Sequence, residues 1–599
     1  MNDSFFISGI IPMHFSADGF RILYACITGF LWLVSYIFYN QNYSQKNKAG
    51  HSRITGIFTL AAVMGVFFSN NLITTFLFFE VMSLCSYFMV IEDKSPNAMK
   101  AGETYLCYAI MGGLAILMGI FLLYYRLGGV NLDFDNLYSA SMLLEDRTVL
   151  YLPGSLLLFG FGAKAGLFPL HTWVYRAYSA SPEPNSALLS GILSKTGIFG
   201  IIIISRNLFL QNMEWAFLLL TLASISMLLG GFLALISECF RKTLAFSSVS
   251  QIGFIVMAIA FYIILGEAGS GQAIIVLMMN HSAIKLLLFL CAGIVFINTG
   301  KSNLDEIRGF GRGKPLFIIV FGIAALGLSA IPLFSGYIGK ILLHKNLLEG
   351  INVWQQDGML LFGFLPSGFL QIFDLVFILS SGLTFAYMLK LFIILFLEKG
   401  EKKEKWGSSP FTALPLIITS MIPPLFGIFP SILESITGAA LGFFGNLNTV
   451  YHLQYYSLAN LSSLAIPLLF GVFFYVFFIK ILGIHKLKRR NVFDLQNLVY
   501  YPFLKMLSLV LMFIMRFFSS LPDWLVRLSL KTFLKTRKKT YSPGNFLSAH
   551  YALFFPDDKT GGRGSLNTEV IGGFSLNLLL VGGGICLVLV YVFIASLFF

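Results

Sequence analysis

The sequence predicts an all-α polytopic membrane protein of about 14–15 transmembrane helices, and three observations predict it. Hydrophobic residues fill 57% of the 599 positions and charged residues only 12%, with a mean hydropathy of +0.80. Apolar runs of about 20 residues, long enough to cross a bilayer, recur from end to end. The segments between them alternate between rich and poor in Lys and Arg. A β-barrel is excluded, because its strands would be short and would alternate apolar with polar residues.

Candidate spans fall at 20–39, 54–69, 71–91, 103–125, 149–179, 185–205, 215–236, 243–265, 272–297, 315–347, 371–397, 411–431, 461–483 and 573–598. The stretch 494–518 reads either as a further span or as a helix lying along the membrane. Segments 149–179 and 315–347 are too long for one straight crossing. Each contains a proline, Pro169 in "GLFPLH" and Pro332 in "SAIPLFSG". Proline removes a main-chain donor and clashes with the preceding turn, so both helices are predicted to break there.

Threading the spans puts 40–53, 92–102, 238–242, 299–314, 398–406 and 485–491 on one side, with 19 Lys and Arg. The other side receives 126–148, 206–214, 266–271, 348–370 and 432–460, with three. The rich side is therefore predicted to face the cytoplasm, in a multi-pass protein of the cell inner (cytoplasmic) membrane. Splitting either broken segment into two crossings would scramble the alternation. The same placement accounts for the net charge of +13 without nucleic acid, and no zinc-finger or aromatic-basic motif is present. Contact of the basic loops with anionic lipid is expected.

The layout divides the chain into an N-terminal helix and loop (1–53), a first repeat (54–205), a second repeat (206–397), additional helices (398–491), an interfacial or tilted segment with a polar loop (492–570) and a final helix (571–599). Each repeat has five spans, the fourth of them broken. An odd number of spans makes the two copies inverted. Paired interrupted helices in matching positions of inverted halves point to an ion path near the midplane. The opening "MNDSFFISGI" lacks a basic n-region, so no cleaved signal is expected.

The six cysteines, Cys26, Cys85, Cys107, Cys239, Cys291 and Cys586, form no CxxC. No GxGxxG or Walker loop stands in a strand–helix context. The expectation is no cofactor and no metal site in this chain.

What stands out is charge inside the apolar runs. Lys164 sits in "GFGAKAGLFPLHTW" just before the first break, and Lys340 follows the second in "FSGYIGKILL". Glu80 is mid-span in "TTFLFFEVMSLCSYFMV" and Lys195 in "ALLSGILSKTGIFGIIII". His281 and Lys285, four apart in "MMNHSAIKLLLFLCAG", share a helix face. Lys390 lies in "TFAYMLKLFIIL". Ionisable groups at such depth carry an insertion penalty and mark ion or proton pathways. Lysine suits a relay because burial readily changes its protonation. Structural alternatives stand beside this reading. Lys164 and Lys390 lie where snorkelling to a cytoplasmic surface is an alternative. Glu80 alone could merely neutralise a lysine, His281 alone would be a satisfied core histidine, and His171 could cap the broken turn. His344, near a span end, is expected to be solvated.

At these residues the sequence resembles the antiporter-like subunits of respiratory complex I and of Mrp-type cation/proton antiporters, to which group 4 membrane hydrogenase subunits are related. The matching stretches are "FFEVMSLCSYFMV", "FGAKAGLFPLHTW", "SALLSGILSKTGIFG", "KTLAFSSVSQIGF", "NHSAIKLLLFLCAG" and "IPLFSGYIGK", in family order across about 54–397. The tail, with one interfacial segment before a last span, is similar to the complex I subunit 5 family. The chain departs from the family in starting close to the "DG" segment (Asp18–Gly19), so one or more usual N-terminal helices are expected to be absent. The 494–540 stretch is short for a full lateral helix, and position 340 is Lys where some members carry Glu.

The resemblance implies roles. Glu80 pairs with Lys164 as an input switch, Lys195 bridges with His171 as a neighbour, Lys285 with His281 forms the central relay, and Lys340 is the output. Lys390 is added from the sequence alone. The function expected is translocation of protons or sodium by a subunit of a multi-subunit redox-driven complex of the NADH dehydrogenase or membrane hydrogenase type. Other membrane subunits and peripheral redox subunits would be its partners, and any redox enzyme chemistry would reside in them. The alternative is a subunit of an Mrp-type Na+/H+ secondary antiporter without electron transfer. A vestigial structural subunit fits poorly, since a vestigial core would be free to become apolar. Inorganic carbon uptake through a related subunit remains a fourth reading.

Overall fold

The computed structural model describes residues 2–7, 11–43, 50–356, 371–400, 410–445 and 453–483. The predicted interfacial segment and final span lie outside the described residues, and with them the features that suggested the subunit 5 layout.

The chain opens with an antiparallel hairpin, β1 (Asn2–Ile7) and β2 (Ile11–Ser16), where the sequence reading placed no strand. Helices follow: α1 (Gly19–Asn42), α2 (Gly50–Phe68), α3 (Leu72–Val90), α4 (Pro96–Arg126) and the short α5 (Phe134–Met142). Next come α6 (Tyr151–Ala165), α7 (Thr172–Ala180), α8 (Glu183–Leu188), α9 (Ser194–Leu208) and α10 (Met213–Ile236). The second repeat continues with α11 (Phe240–Leu265), α12 (Ala268–Thr299), α13 (Pro315–Leu328), α14 (Ser335–Gln356) and α15 (Gln371–Phe392). Beyond it lie α16 (Pro410–Ile428), α17 (Pro430–Ala440) and α18 (Leu458–Phe474). Among the described residues ten helical segments are long and apolar enough to cross a membrane, or eleven counting a bent pair, and the shorter apolar helices Ile54–Phe68 and Pro315–Leu328 match two further candidate spans.

Two parts of the reading need correction. The loop 126–148 contains α5, whose start Asp133 and Phe134 are tied to Asn71 and Asn70. The candidate span 411–431 is not straight, because α16 and the helix starting at Pro430 meet at 94°. The bend is fixed by packing: a Cβ on Gly427 would lie 2.2 Å from the Leu333 carbonyl oxygen, so only glycine lets α16 end against the second helix break.

The loops gather in two sets through direct contacts. At the basic end, Tyr39 and Asn185 bond Glu92, Tyr43 and Arg241 both bind Glu183, Cys239 pairs with Asn303, and Arg308 pairs with Glu398. At the other end, His14 meets Asp133, Phe15 pairs with Ser69, and the Gln211 amide donates to the Ile263 carbonyl. These sets agree with the alternation read from Lys and Arg.

The middle of the bundle is formed by the segments 183–208, 240–265 and 268–299. Their most apolar windows are 100%, 94% and 100% buried, against 33% for α4 and 28% for α18. Backbones approach closely where side chains vanish: a Cβ on Gly160 would stand 2.4 Å from the Gly112 carbonyl oxygen, which brings α6 against α4. A polar group on the three central segments faces protein rather than lipid.

Candidate functional site

Local backbone chemistry prepares the site. Helix α6 ends at Gly166, whose φ of +80° is the left-handed conformation that closes a helix, and the Gly166 and Leu167 amides both donate to the Gly162 carbonyl. Pro169 lies in the five-residue turn that follows. The Trp173 indole donates to the Ala163 carbonyl at 2.7 Å, satisfying a group the break exposes. The second break, around Pro332, holds Ala330 and Leu333 at φ of 59° and 74°, a region non-glycine residues seldom occupy. Between α8 and α9, residues Leu189–Leu193 form a π-helical turn. Such a turn frees carbonyls from the helical ladder. The Ser190 carbonyl accepts from Lys195 Nζ at 2.7 Å, and the Gly191 carbonyl accepts from Ser282 Oγ at 2.6 Å.

The predicted charges fall along this scaffold. Glu80 of α3 lies against Gly113 of α4, and its Oε1 has no hydrogen-bond partner among the described residues. Lys164, 5% exposed, donates to Ser83 Oγ at 3.2 Å and Tyr105 Oη at 2.5 Å, with its ammonium 4.9 Å from the Tyr105 ring centroid. It does not snorkel. Glu80 and Lys164 form no direct ion pair, so the implied pairing is indirect. Ser83 lies one turn beyond Glu80 on the same helix and is the hydroxyl that Lys164 holds. A narrow cleft bordered by Phe79, Ser83, Tyr105, Tyr108 and Trp173 leads to the ammonium.

Lys195 is fully buried at the start of α9 and bonds His281 Nδ1 of α12 directly, while His281 Nε2 is buried without a partner among the described residues. This contact joins the two repeats. Lys285, one turn beyond His281, donates to the Leu244 carbonyl at 2.9 Å and Ser247 Oγ at 2.5 Å, both on α11. Lys340 of α14 is buried with no hydrogen-bond partner among the described residues, and its ammonium sits 4.6 Å from the centroid of Phe254, also on α11. His171 is buried at the head of α7 beside Phe168 and the Pro169 backbone, its Nδ1 has no hydrogen-bond partner among the described residues, and no contact there brings it to Lys195. Lys390 donates to the carbonyls of Ala234, Leu235 and Ser237 at 3.0, 2.7 and 2.8 Å, closing the C-terminal end of α10. His344 is half-buried rather than free in solvent: it bonds Asp374 at 3.0 Å and stacks on Phe377.

Sequence reasoning missed the hydroxyls that hold these lysines, namely Ser83, Tyr105 and Ser247, and the serines Ser190 and Ser248 beside them. Ser190 Oγ and Ser248 Oγ meet at 2.8 Å, a second link between the repeats beside Lys195–His281. The signal was present as Ser and Tyr inside apolar spans, as in "AFSSVSQIGF". Serine is common enough in membrane helices that its placement, not its presence, carries the meaning.

Comparison with known proteins agrees with this architecture. The family described as "NADH:quinone oxidoreductase/Mrp antiporter, TM" matches residues 69–369. The Hydrogenase-4 component B of Escherichia coli (strain K12) is 32% identical over 322 residues, 52% of this chain and 47% of that protein. A Na(+)/H(+) antiporter subunit of Alkalihalophilus pseudofirmus is 29% identical over 328 residues, 55% of this chain and 65% of that protein. The chain thus spans about half the length of the first of these curated relatives and just under two thirds of the second. A chain of the Mrp complex from Dietzia sp. DQ12-45-1b shares the fold with a TM-score of 0.63 at 22% identity, over 78% of this chain and 89% of that one. The family match covers half the chain and includes every charged residue of the series from Glu80 to Lys340, and the protein is a multi-pass membrane member of the NADH:quinone oxidoreductase/Mrp antiporter transmembrane family.

Proposed function

We propose that this chain is an antiporter-like subunit that moves protons, or exchanges them for sodium, across the cytoplasmic membrane as part of a larger complex. The observation that carries the reading is the buried series Lys164, Lys195–His281, Lys285 and Lys340, which crosses from the first repeat to the second with one nearby carboxylate, Glu80. Buried cations without matching anions are unfavourable and persist where they serve transport. In this reading Glu80 acts through Ser83 on Lys164. A shift of Glu80 against Gly113 changes how well the Lys164 ammonium is held, and its proton passes by way of Lys195 and His281 to Lys285 and then Lys340. The unpartnered Nε2 of His281 is free to accept or release a proton as Nδ1 holds Lys195. The two helix breaks, beside Lys164 and Lys340, would be where water reaches the series from opposite faces. Electron transfer, where it drives the complex, would reside in partner subunits.

Relatives named as hydrogenase and as Na+/H+ antiporter subunits favour the redox-driven and the secondary-antiport readings alike. The test is one experiment. The complex purified through this chain is reconstituted in proteoliposomes, and internal pH and sodium are followed under NADH, under dihydrogen, and under an imposed sodium gradient. Wild type should respond to at least one drive and Lys164→Ala should not, with assembly intact. Transport at the wild-type rate by Lys164→Ala would remove the first step of the series.

A further inference from the structure

Lys390 has no place in the series above, yet it is one of the most buried cations in the protein, at 1% exposure. It stands at the end of a polar stripe on α15. Ser380, Ser381, Thr384, Tyr387 and Lys390 recur at helical spacing, and all are buried, on a helix that is otherwise apolar here. Three of their hydroxyls, Ser380 Oγ, Ser381 Oγ and Tyr387 Oη, complete no hydrogen bond among the described residues. The Tyr387 hydroxyl faces Thr384, Gln251 and Ser247 without a well-formed bond to any of them. Burying a hydroxyl unpaired is unfavourable, and water along the stripe would satisfy all three. The stripe also reaches the relay series. Thr384 Oγ1 accepts from Gln251 Nε2 of α11 at 3.4 Å, and Gln251 lies one turn from Ser247, the acceptor of Lys285. At its other end Lys390 borders a cleft at the basic-loop face that contains Glu238, Asp305, Arg308, Glu398 and Lys480, with Cys239 adjacent.

We propose that this stripe is a second proton-access lane, leading from the basic-loop face through Lys390, Tyr387 and Thr384, past Gln251 and Ser247, to Lys285. It rests on the relay reading above and supplies the proton that reloads Lys285 after each stroke begun at Lys164, without itself passing through Lys164 or Lys195. A proton taken from water in the cleft binds Lys390 Nζ after that amine has given its own inward. Each hydroxyl accepts on one lone pair and releases its hydrogen onward, so the lane is unchanged after each passage and only Lys285 gains. Thr384 and Lys390 are six positions apart, about 9 Å of helix. A few waters span that length. The competing role is purely structural, since Lys390 also closes α10 through three carbonyls.

Two variants separate the roles in the reconstituted complex. Lys390→Arg keeps the charge and can still cap α10 but does not release a proton. Tyr387→Phe removes only an uncharged hydroxyl and keeps the ring, so it leaves the cap on α10 untouched even where the arginine disturbs it. Lys285→Ala is measured beside them, all under the drive to which wild type responds. Both lane variants are expected to slow proton translocation by about tenfold or more while assembly is unchanged. If both transport at the wild-type rate while Lys285→Ala is inactive, the lane is wrong and Lys390 is a cap alone. If Lys285→Ala also transports normally, the relay reading falls and takes the lane with it.

Discussion

Lys340→Met should stabilise the protein while abolishing transport. A lysine at the middle of a membrane helix carries an insertion penalty of about 2.5–3.5 kcal/mol. Lys340 recovers little of it. It makes no hydrogen bond among the described residues, and its one favourable contact there is the Phe254 ring at 4.6 Å. A desolvated cation–π contact is worth about 2 kcal/mol. Methionine fills a similar volume without a charge, so the variant should gain about 1 kcal/mol, a rise of about 1–2 °C in the unfolding midpoint for a chain this large. Lys390→Met gives the opposite sign. It loses three charge-assisted bonds to carbonyls at 2.7–3.0 Å. At about 1.5 kcal/mol or more each, they outweigh the same insertion penalty, so this variant should be less stable by at least about 1 kcal/mol. The two are compared by thermal unfolding in nanodiscs, with transport measured on the same preparations. If Lys340→Met unfolds as early as Lys390→Met, Lys340 is a bonded structural group and its assignment as the output residue is wrong.

Two further outcomes follow from the geometry. Gly113→Ala places a methyl 2.2 Å from Glu80 Oε1, so the carboxylate must move; transport should fall although no ionisable group is altered, whereas Gly112→Ala, whose Cβ meets nothing nearer than 3.3 Å, should be milder, as ion-uptake rates will tell. Arg241→Met leaves Glu183 fully buried with Tyr43 as its one remaining side-chain partner among the described residues and should destabilise by about 3–5 kcal/mol, much of which Glu183→Leu added to it should restore in unfolding titrations.

The fold was largely legible because membrane helices announce themselves through length and hydropathy, and because basic loops fix the alternation. Pro169 and Pro332 marked both long breaks for a local reason that needs no tertiary knowledge. The bend after Ile428 was not legible in the same way. Pro415, Pro423 and Pro424 all lie within α16 without ending it, so Pro430, which does begin a new helix, was not told apart from them, and the turn comes where Gly427 meets Leu333, a contact between residues 94 positions apart. The π-helical turn at 189–193 was equally silent, because the carbonyl it frees at Gly191 is taken up by Ser282 on another helix. For the site, depth in an apolar run identified the lysines and the resemblance implied a role for Lys340 but not for Lys390, yet depth alone did not separate Lys340, which bonds nothing among the described residues, from Lys390, which bonds three carbonyls. That difference lies in what faces each ammonium.

The contact between Lys195 and His281 also bears on how a series of cations can carry a proton. His281 and Lys285 are four residues apart on α12, a rise of about 6 Å. At an effective dielectric of about 20, two unit charges at that separation repel by about 3 kcal/mol. Protons on both at once are therefore disfavoured by roughly a hundredfold. On the proposed route a proton reaching His281 from Lys195 would weaken the hold of Lys285 on its own, against the two bonds to Ser247 and the Leu244 carbonyl that keep it there. The same repulsion acts backwards once Lys285 is reloaded, which keeps His281 neutral until the next cycle. In the proposed relay a mixed row of lysine and histidine would thus move charge by mutual exclusion, with no large structural rearrangement between neighbours. Direction must then come from the ends. Among the described residues Glu80 is the one carboxylate near the series, and it lies beside Lys164 at the first repeat, whereas Lys340 at the second has no anion and only an aromatic face. In the proposed relay the carboxylate at one end and the bare aromatic face at the other would set that direction, with the position of Glu80 against Gly113 as its control.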